Sequence, residues 1–191
     1  MMTSGPARTA ARRTRSAPVA ALVVLGVTLA AGVVVHRAAS QTVAAEGAVP
    51  DGVTVFDDGI PAVAGLDAEL LGALRRAAAG AAGDGVEFVV NSGRRSPAYQ
   101  ERLRREAVAR YGSEREAARW VASPDTSLHV SGDAVDLGAE AAGWLSAHGA
   151  AYGLCQIYRN EPWHYELRPN AVERGCPRMY ADPTRDPRLR R

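Results

Sequence analysis

At 191 residues the chain has room for one domain and an appendage, not for two separate cores. All 23 basic residues are arginine, and five of them (Arg8, Arg12, Arg13, Arg15 and Arg37) lie within the first 37 positions, so residues 38–191 set 18 arginines against 21 acids, a balance of −3. That mildly acidic remainder lacks the clustered basic footprint that nucleic-acid binding requires, and nucleic acid is excluded as a partner.

In chain order, residues 1–16 form a basic flank, and residues 17–35 run from Ala17 to Val35 without a charge. As a helix that segment spans about 28 Å, close to the roughly 30 Å hydrocarbon core of a bilayer, so it predicts one N-terminal transmembrane helix with the basic end inside. Ala38-Ala39-Ser40 and Val43-Ala44-Ala45 offer small-residue cleavage sites, which leaves a removable signal peptide as the alternative. Either way the remainder is exported. Residues 36–62 read as a stalk with one short strand at Val53 to Phe56, residues 63–176 as the folded domain, and the Pro/Asp/Arg-rich residues 177–191 as a loose tail.

Within 63–176, Leu66, Leu70, Leu71 and Leu74 recur at helical spacing up to Gly80. Val86 to Val90 predicts a strand leading into a turn at Asn91-Ser92-Gly93. Ser96 before Pro97 predicts a capped helix with Tyr99, Leu103 and Ala107 on one face and an end near Gly112. Ser113 and Glu116 have capping-box spacing for a short helix through Trp120. Asp125 to Gly132 reads as loop, Ala134 to Leu137 as strand and Glu140 to His148 as helix. Two more strands, Cys155 to Tyr158 and Trp163 to Leu167, flank the Asn160-Glu161-Pro162 turn. Helices mixed with short strands and tight turns predict an α+β fold, not a doubly wound sheet. Cys155 and Cys176, both on the exported side, are expected to form a disulfide.

His129 and Asp136 are seven apart, so a straight strand would put them on opposite faces; they meet at one point only if the chain bends, which Gly132 permits. With His164 they make two imidazoles and one carboxylate, a known ligand set for catalytic zinc. Glu161, three residues before His164, is placed to accept a proton from a water at such an ion. His148, at a helix end before Gly149, is explained by the helix C-terminus. Trp163 taken alone reads as a packed aromatic.

Together these stretches resemble a family. Ser127-Leu-His129-Val-Ser-Gly132-Asp-Ala134-Val-Asp136 resembles the S-x-H-x-x-G-x-A-x-D signature of the zinc D-alanyl-D-alanine carboxypeptidases and dipeptidases, the VanY-like enzymes whose fold is shared with the hedgehog zinc domain. Glu161-Pro-Trp-His164 resembles the family's E-x-W-H segment, and Ser92-Gly93-Arg94-Arg95-Ser96 with Gln100 its S-G-Y-R-S and Gln segment. The resemblance implies a small antiparallel sheet with helices packed around it, zinc held by His129, Asp136 and His164, and Glu161 as general base. It makes Arg95 the oxyanion arginine, although Arg94 stands where the family has an aromatic residue. Ser127, Gln100 and Trp163 fall on the substrate side. The implied substrate is a peptidoglycan stem peptide ending in D-Ala-D-Ala, cleaved outside the membrane by a monomer. The same motifs serve DD-dipeptidases and L-alanyl-D-glutamate endopeptidases, and a non-catalytic zinc-stabilised binding module would need neither Glu161 nor Arg95.

Overall fold

The computed structural model describes residues 46–190. The expected membrane segment 17–35 lies outside them, and no helix among the described residues is long and apolar enough to cross a membrane. Three helices of some length are present: α1 (Ala68–Ala81), α2 (Pro97–Tyr111) and α3 (Ala139–His148). Single helical turns occupy Pro61–Ala64, Glu114–Ala117, Leu128–Ser131 and Ala171–Arg174. Four strands, β1 (Val90–Ser92), β2 (Ala134–Leu137), β3 (Leu154–Gln156) and β4 (His164–Leu167), form one antiparallel sheet in the order β1-β2-β4-β3. The α+β expectation therefore holds.

Helix α1 starts where the Asp67 carboxylate accepts from the Glu69 and Leu70 amides, satisfying donors that have no partner in the first turn. Leu70, Ala73, Leu74, Ala77, Ala78 and Ala81 then recur at helical spacing and are buried. Gly80 does not stop the helix, contrary to expectation. A Cβ there would sit 2.3 Å from the Tyr152 hydroxyl, so this glycine serves a close approach between elements. Helix α2 follows its predicted signals: the Ser96 side chain accepts from the Tyr99 amide, and Gly112 closes it at φ 80°. Its inward face carries Gln100 with Ala107, while Tyr99 lies under the Arg102 guanidinium.

Side chains on a strand alternate between faces, and here the two faces diverge in character. Val90, Val135, Leu137, Leu154 and Tyr165 point into the main core with α1 and α3. Asp136 and His164, opposite each other across β2 and β4, lie on the other face, as do Ala134 and Glu166 one pair further along. The buried stretch Ala134–Leu137 is thus apolar on one side and chemical on the other.

Five expectations need correction. Pairing with β2 begins at Val90, so Asn91 and Ser92 belong to β1 instead of a turn. Residues 86–90 instead meet the 53–55 segment, through Val55 N–H to the Phe88 carbonyl at 3.2 Å and Val90 N–H to the Val53 carbonyl at 2.7 Å. The supposed stalk is packed from residue 46 on: Val53 and Val55 join the core, and Thr54 bridges Val89. Residues 177–190 are not loose, because Asp182, Pro183 and Asp186 are buried and Tyr180 bridges Tyr158. The expected loop at 125–132 contains the helical turn Leu128–Ser131.

Candidate active site

The bend required between His129 and Asp136 is present. His129 lies on the Leu128–Ser131 turn, the chain reverses at Gly132 (φ 87°), and β2 carries it back to Asp136. A Cβ on Gly132 would come within 2.5 Å of the Gly65 carbonyl, so only glycine fits this close, left-handed corner. The Arg95 amide donates to the His129 carbonyl at 2.8 Å, tying that turn to the segment after β1. Strand register supplies the rest: Asp136 pairs with Ser92 on one side and His164 on the other.

The three expected ligands converge. Asp136 Oδ1 is 3.3 Å from His129 Nε2 and 3.1 Å from His164 Nδ1, and one ligand atom from each residue falls within 4.8 Å of the others. Ligands at zinc distances in a tetrahedral site stand about 3.3 Å apart, so the spacing suits that ion. His129 Nδ1 donates to the Gly93 carbonyl at 2.9 Å; a carbonyl can only accept, so the proton is fixed on Nδ1 and the Nε2 lone pair faces Asp136.

Electrostatics point the same way. Burial opposes ionisation of Asp136, but the His129 and His164 imidazoles outweigh it and hold the carboxyl well below its usual range. Burial and the nearby Arg95 charge push the His129 pKa down. For His164 burial pulls downward, yet hydrogen bonds to Asp136 and Glu166 win and raise it to about 10. Asp136 is thus favoured in its ionised form and His129 in its neutral form, as metal ligation requires, and metal binding would displace the proton from His164.

Glu161 stands beside the cluster without joining it, its Oε2 3.9 Å from His164 Nδ1. Burial pushes its carboxyl up to about 7, the His164 charge pulling against this and the Asp136 charge adding to it. Its Oε1 is buried with no hydrogen-bond partner. An unpaired buried carboxylate oxygen is costly, and a water held by a metal would satisfy it. The donor set and this orphaned oxygen both fit a catalytic zinc.

Of the two arginines, Arg95 reaches the site. Its Nε donates to Ser92 Oγ at 2.8 Å, Nη1 to Gln100 Oε1 at 3.1 Å and Nη2 to Asp136 Oδ2 at 2.9 Å. These bonds use three of the five guanidinium N–H groups and leave two. The Arg94 side chain instead packs over Gly65. Gln100 departs from expectation: it is 1% exposed, its oxygen receives Arg95 and its amide donates to the Ala122 carbonyl at 2.8 Å. Both polar ends are engaged, so it positions Arg95. Ser127 lines the cleft and caps no amide of its helical turn, and Trp163 stands half exposed at the rim. The cleft measures about 330 Å³, at the small end for a ligand site, which suits a peptide end better than a whole glycan. Its outer wall includes Trp120 stacked on Tyr111, and Pro183 and Leu189 of the C-terminal segment.

Comparison with known families decides the lineage: the family model described as VanY, D-alanyl-D-alanine carboxypeptidase, matches residues 64–170. The chain belongs to the VanY family. A D-alanyl-D-alanine carboxypeptidase of Enterococcus faecalis is 34% identical over 108 residues, covering 43% of this chain and 40% of that relative, so the chain spans less than half the length of this relative. Among solved structures, a mutant of the vancomycin-resistance D,D-pentapeptidase VanY in complex with Zn(II) aligns at TM-score 0.50 and 30% identity, covering 53% of this chain and 72% of that one. VanYB in complex with D-Alanine-D-Alanine aligns at TM-score 0.52 and 29% identity, covering 58% and 74%. The LD-carboxypeptidase LdcB, at 24% identity and TM-score 0.53 over 66% and 70%, shares the fold.

Two residues escaped the sequence reading of this VanY-family site. Glu166 carries no motif weight, but it lies two positions after His164 on a strand, and period-two alternation alone puts it on the same face. Arg188, which binds Glu166 at 2.7 Å, had no such signal, because nothing local marks which tail arginine returns to the sheet.

Proposed function

We propose that the chain is a zinc-dependent D-alanyl-D-alanine carboxypeptidase that releases the terminal D-alanine from peptidoglycan stem peptides. The observation that carries the reading is the orphaned Glu161 oxygen beside the His129, Asp136 and His164 cluster. A structural zinc site uses its ligands and has no need of a buried, unpaired acid. Family membership and the D-Alanine-D-Alanine bound to VanYB support the substrate class.

Zinc bound at this cluster supplies an acidified water and a polarised carbonyl. Glu161 accepts the proton of the attacking water and returns it to the leaving amine. Arg95, held by Ser92, Gln100 and Asp136, turns its two remaining N–H groups toward the carbonyl oxygen as negative charge grows there. Ser127 and Trp163 orient the peptide end. The reaction takes place outside the membrane, with the chain a monomer tethered through residues 17–35 or released by cleavage there. The Cys155–Cys176 disulfide supports an oxidising, exported setting.

The test measures zinc content and D-alanine release from a synthetic stem pentapeptide. One zinc per chain and single D-alanine release are expected, abolished by a chelator and restored by zinc. Release of the dipeptide, or cleavage inside the stem, replaces the carboxypeptidase assignment. Full zinc stoichiometry in His164→Ala removes the ligand set.

A further inference from the structure

Glu166 is fully buried on β4, two residues beyond His164. Across the sheet it faces Ala134 and Cys155, whose small side chains leave room for a carboxylate. Its Oε1 lies 3.3 Å from His164 Nε2. Its Oε2 accepts from Arg168, just past the end of β4, and from Arg188 Nη1 at 2.7 Å. Arg188 arrives 22 residues later from the C-terminal segment and is anchored there in turn. Its guanidinium and amide bind Asp186, which is fully buried and accepts from the Tyr158 hydroxyl at 3.0 Å. The Tyr158 ring packs 5.1 Å from the His164 ring, so the tail network and the imidazole share one packed unit.

We propose that Glu166 is a positioning residue for His164, and that Arg188 holds Glu166 for this task, which makes residues 182–190 part of the metal centre. The inference rests on the zinc reading of the cluster and goes beyond it. Asp136 faces Nδ1 and Glu166 faces Nε2, and each carboxylate can only accept; with zinc held between Nδ1 and Asp136 the Nδ1 lone pair would go to the ion, and Glu166 would keep the proton on Nε2. With the ion in place, the reverse tautomer would set a ring lone pair against the Glu166 carboxylate in a buried site. Glu166 can play this part only while its own charge is compensated. Arg168 compensates from just past the end of β4. Arg188 compensates from the tail, and so links docking of the tail to the orientation of a ligand. A contact serving only to fasten the tail would have no reason to end on the ring of His164.

The test uses the full-length protein and reads zinc affinity by chelator competition, with near-ultraviolet circular dichroism to verify folding. Glu166→Ala is expected to weaken zinc about 10–100-fold, the usual effect of removing a ligand's hydrogen-bond partner. Glu166→Gln retains an acceptor oxygen and is expected to lose less. Arg188→Ala weakens zinc in the native background but adds nothing to Glu166→Ala, because the two act through one path. Nitrogen NMR of the zinc-loaded protein is expected to show His164 protonated at Nε2. A folded Glu166→Ala protein with native zinc affinity overturns the proposal, as does an Arg188→Ala effect of equal size in both backgrounds. Should Glu166→Ala not fold, Glu166→Gln and Arg188→Ala decide: lowered melting temperatures with native zinc affinity in both leave these residues a purely structural clamp. If the native protein itself binds no zinc, the functional reading fails first, a result distinct from failure of the variants alone.

Discussion

Replacing Arg95 with alanine separates a catalytic arginine from a structural ion pair, because the structure gives it both kinds of contact. Removal of the guanidinium strips donors from Ser92 Oγ, Gln100 Oε1 and Asp136 Oδ2. Gln100 is 1% exposed and gains no water in exchange, so the orphaned oxygen costs about 1–3 kcal/mol. For a chain of this size that lowers the melting temperature by about 2–12 °C, at about 2–4 °C per kcal/mol. If Arg95 also meets the developing oxyanion, kcat falls by about 10²–10³ as well, the loss typical of one such donor. Arg95→Lys keeps the charge but loses the planar fork; one ammonium cannot serve Ser92, Gln100 and Asp136 while also facing substrate, so it restores little of the rate. The assay is kcat and KM for D-alanine release from stem pentapeptide, run beside zinc affinity and thermal unfolding. A melting temperature lowered as expected, with native zinc affinity and kcat within tenfold of native, would refute the oxyanion role and leave Arg95 as a structural partner of Ser92, Gln100 and Asp136.

Glu161→Gln is expected to reduce kcat by about 10²–10⁴ while leaving one zinc per chain, since its carboxylate stands 3.9 Å from His164 Nδ1 and outside the ligand triad; loss of zinc together with activity would make it a ligand. Serine at both Cys155 and Cys176 removes a bridge closing a 21-residue separation, worth roughly 3 kcal/mol in the chain-entropy model. Thermal unfolding should drop by about 6–12 °C, and a shift under about 2 °C contradicts that account. Gly132→Ala places a Cβ 2.5 Å from the Gly65 carbonyl in a left-handed corner, so the denaturant midpoint should fall by more than the equivalent of about 1 kcal/mol; an unchanged midpoint shows that the corner relaxes freely.

The elements that could be read from the chain are those whose signals are local. The cap at Ser96, the closing Gly112 and the strand Ala134–Leu137 are each specified by residues within a few positions, and each is found in place. Errors occur where a remote partner overrides local propensity. Val86 to Val90 has strand character, but the partner β2 offers pairing only from Val90 onward, so the earlier residues meet the 53–55 segment instead. That same pairing turns an apparent stalk into a piece of the core, a change no local feature of Val53 or Val55 announces. The tail misled for a related reason: its Asp and Arg residues have a disordered composition when counted, yet Asp182 and Asp186 are buried through partners at Arg119 and Tyr158.

The site divides along the same line. His129, Asp136, His164 and Glu161 could be named from sequence because their motifs are short, although what joins them is the register that sets Asp136 opposite His164 and the reversal at Gly132. A motif position carries no information about which way a side chain is spent; the hydrogen bonds of Gln100 with Arg95 and the Ala122 carbonyl give it a supporting role. Glu166 and Arg188 are separated by 22 residues, and only the folded tail brings them together. A motif therefore marks the atoms that meet substrate or metal, whereas the groups that fix a tautomer or a guanidinium are chosen by packing. In this protein Gln100 and Glu166 are as buried as the ligands themselves, so the metal centre extends further into the fold than its signature residues indicate.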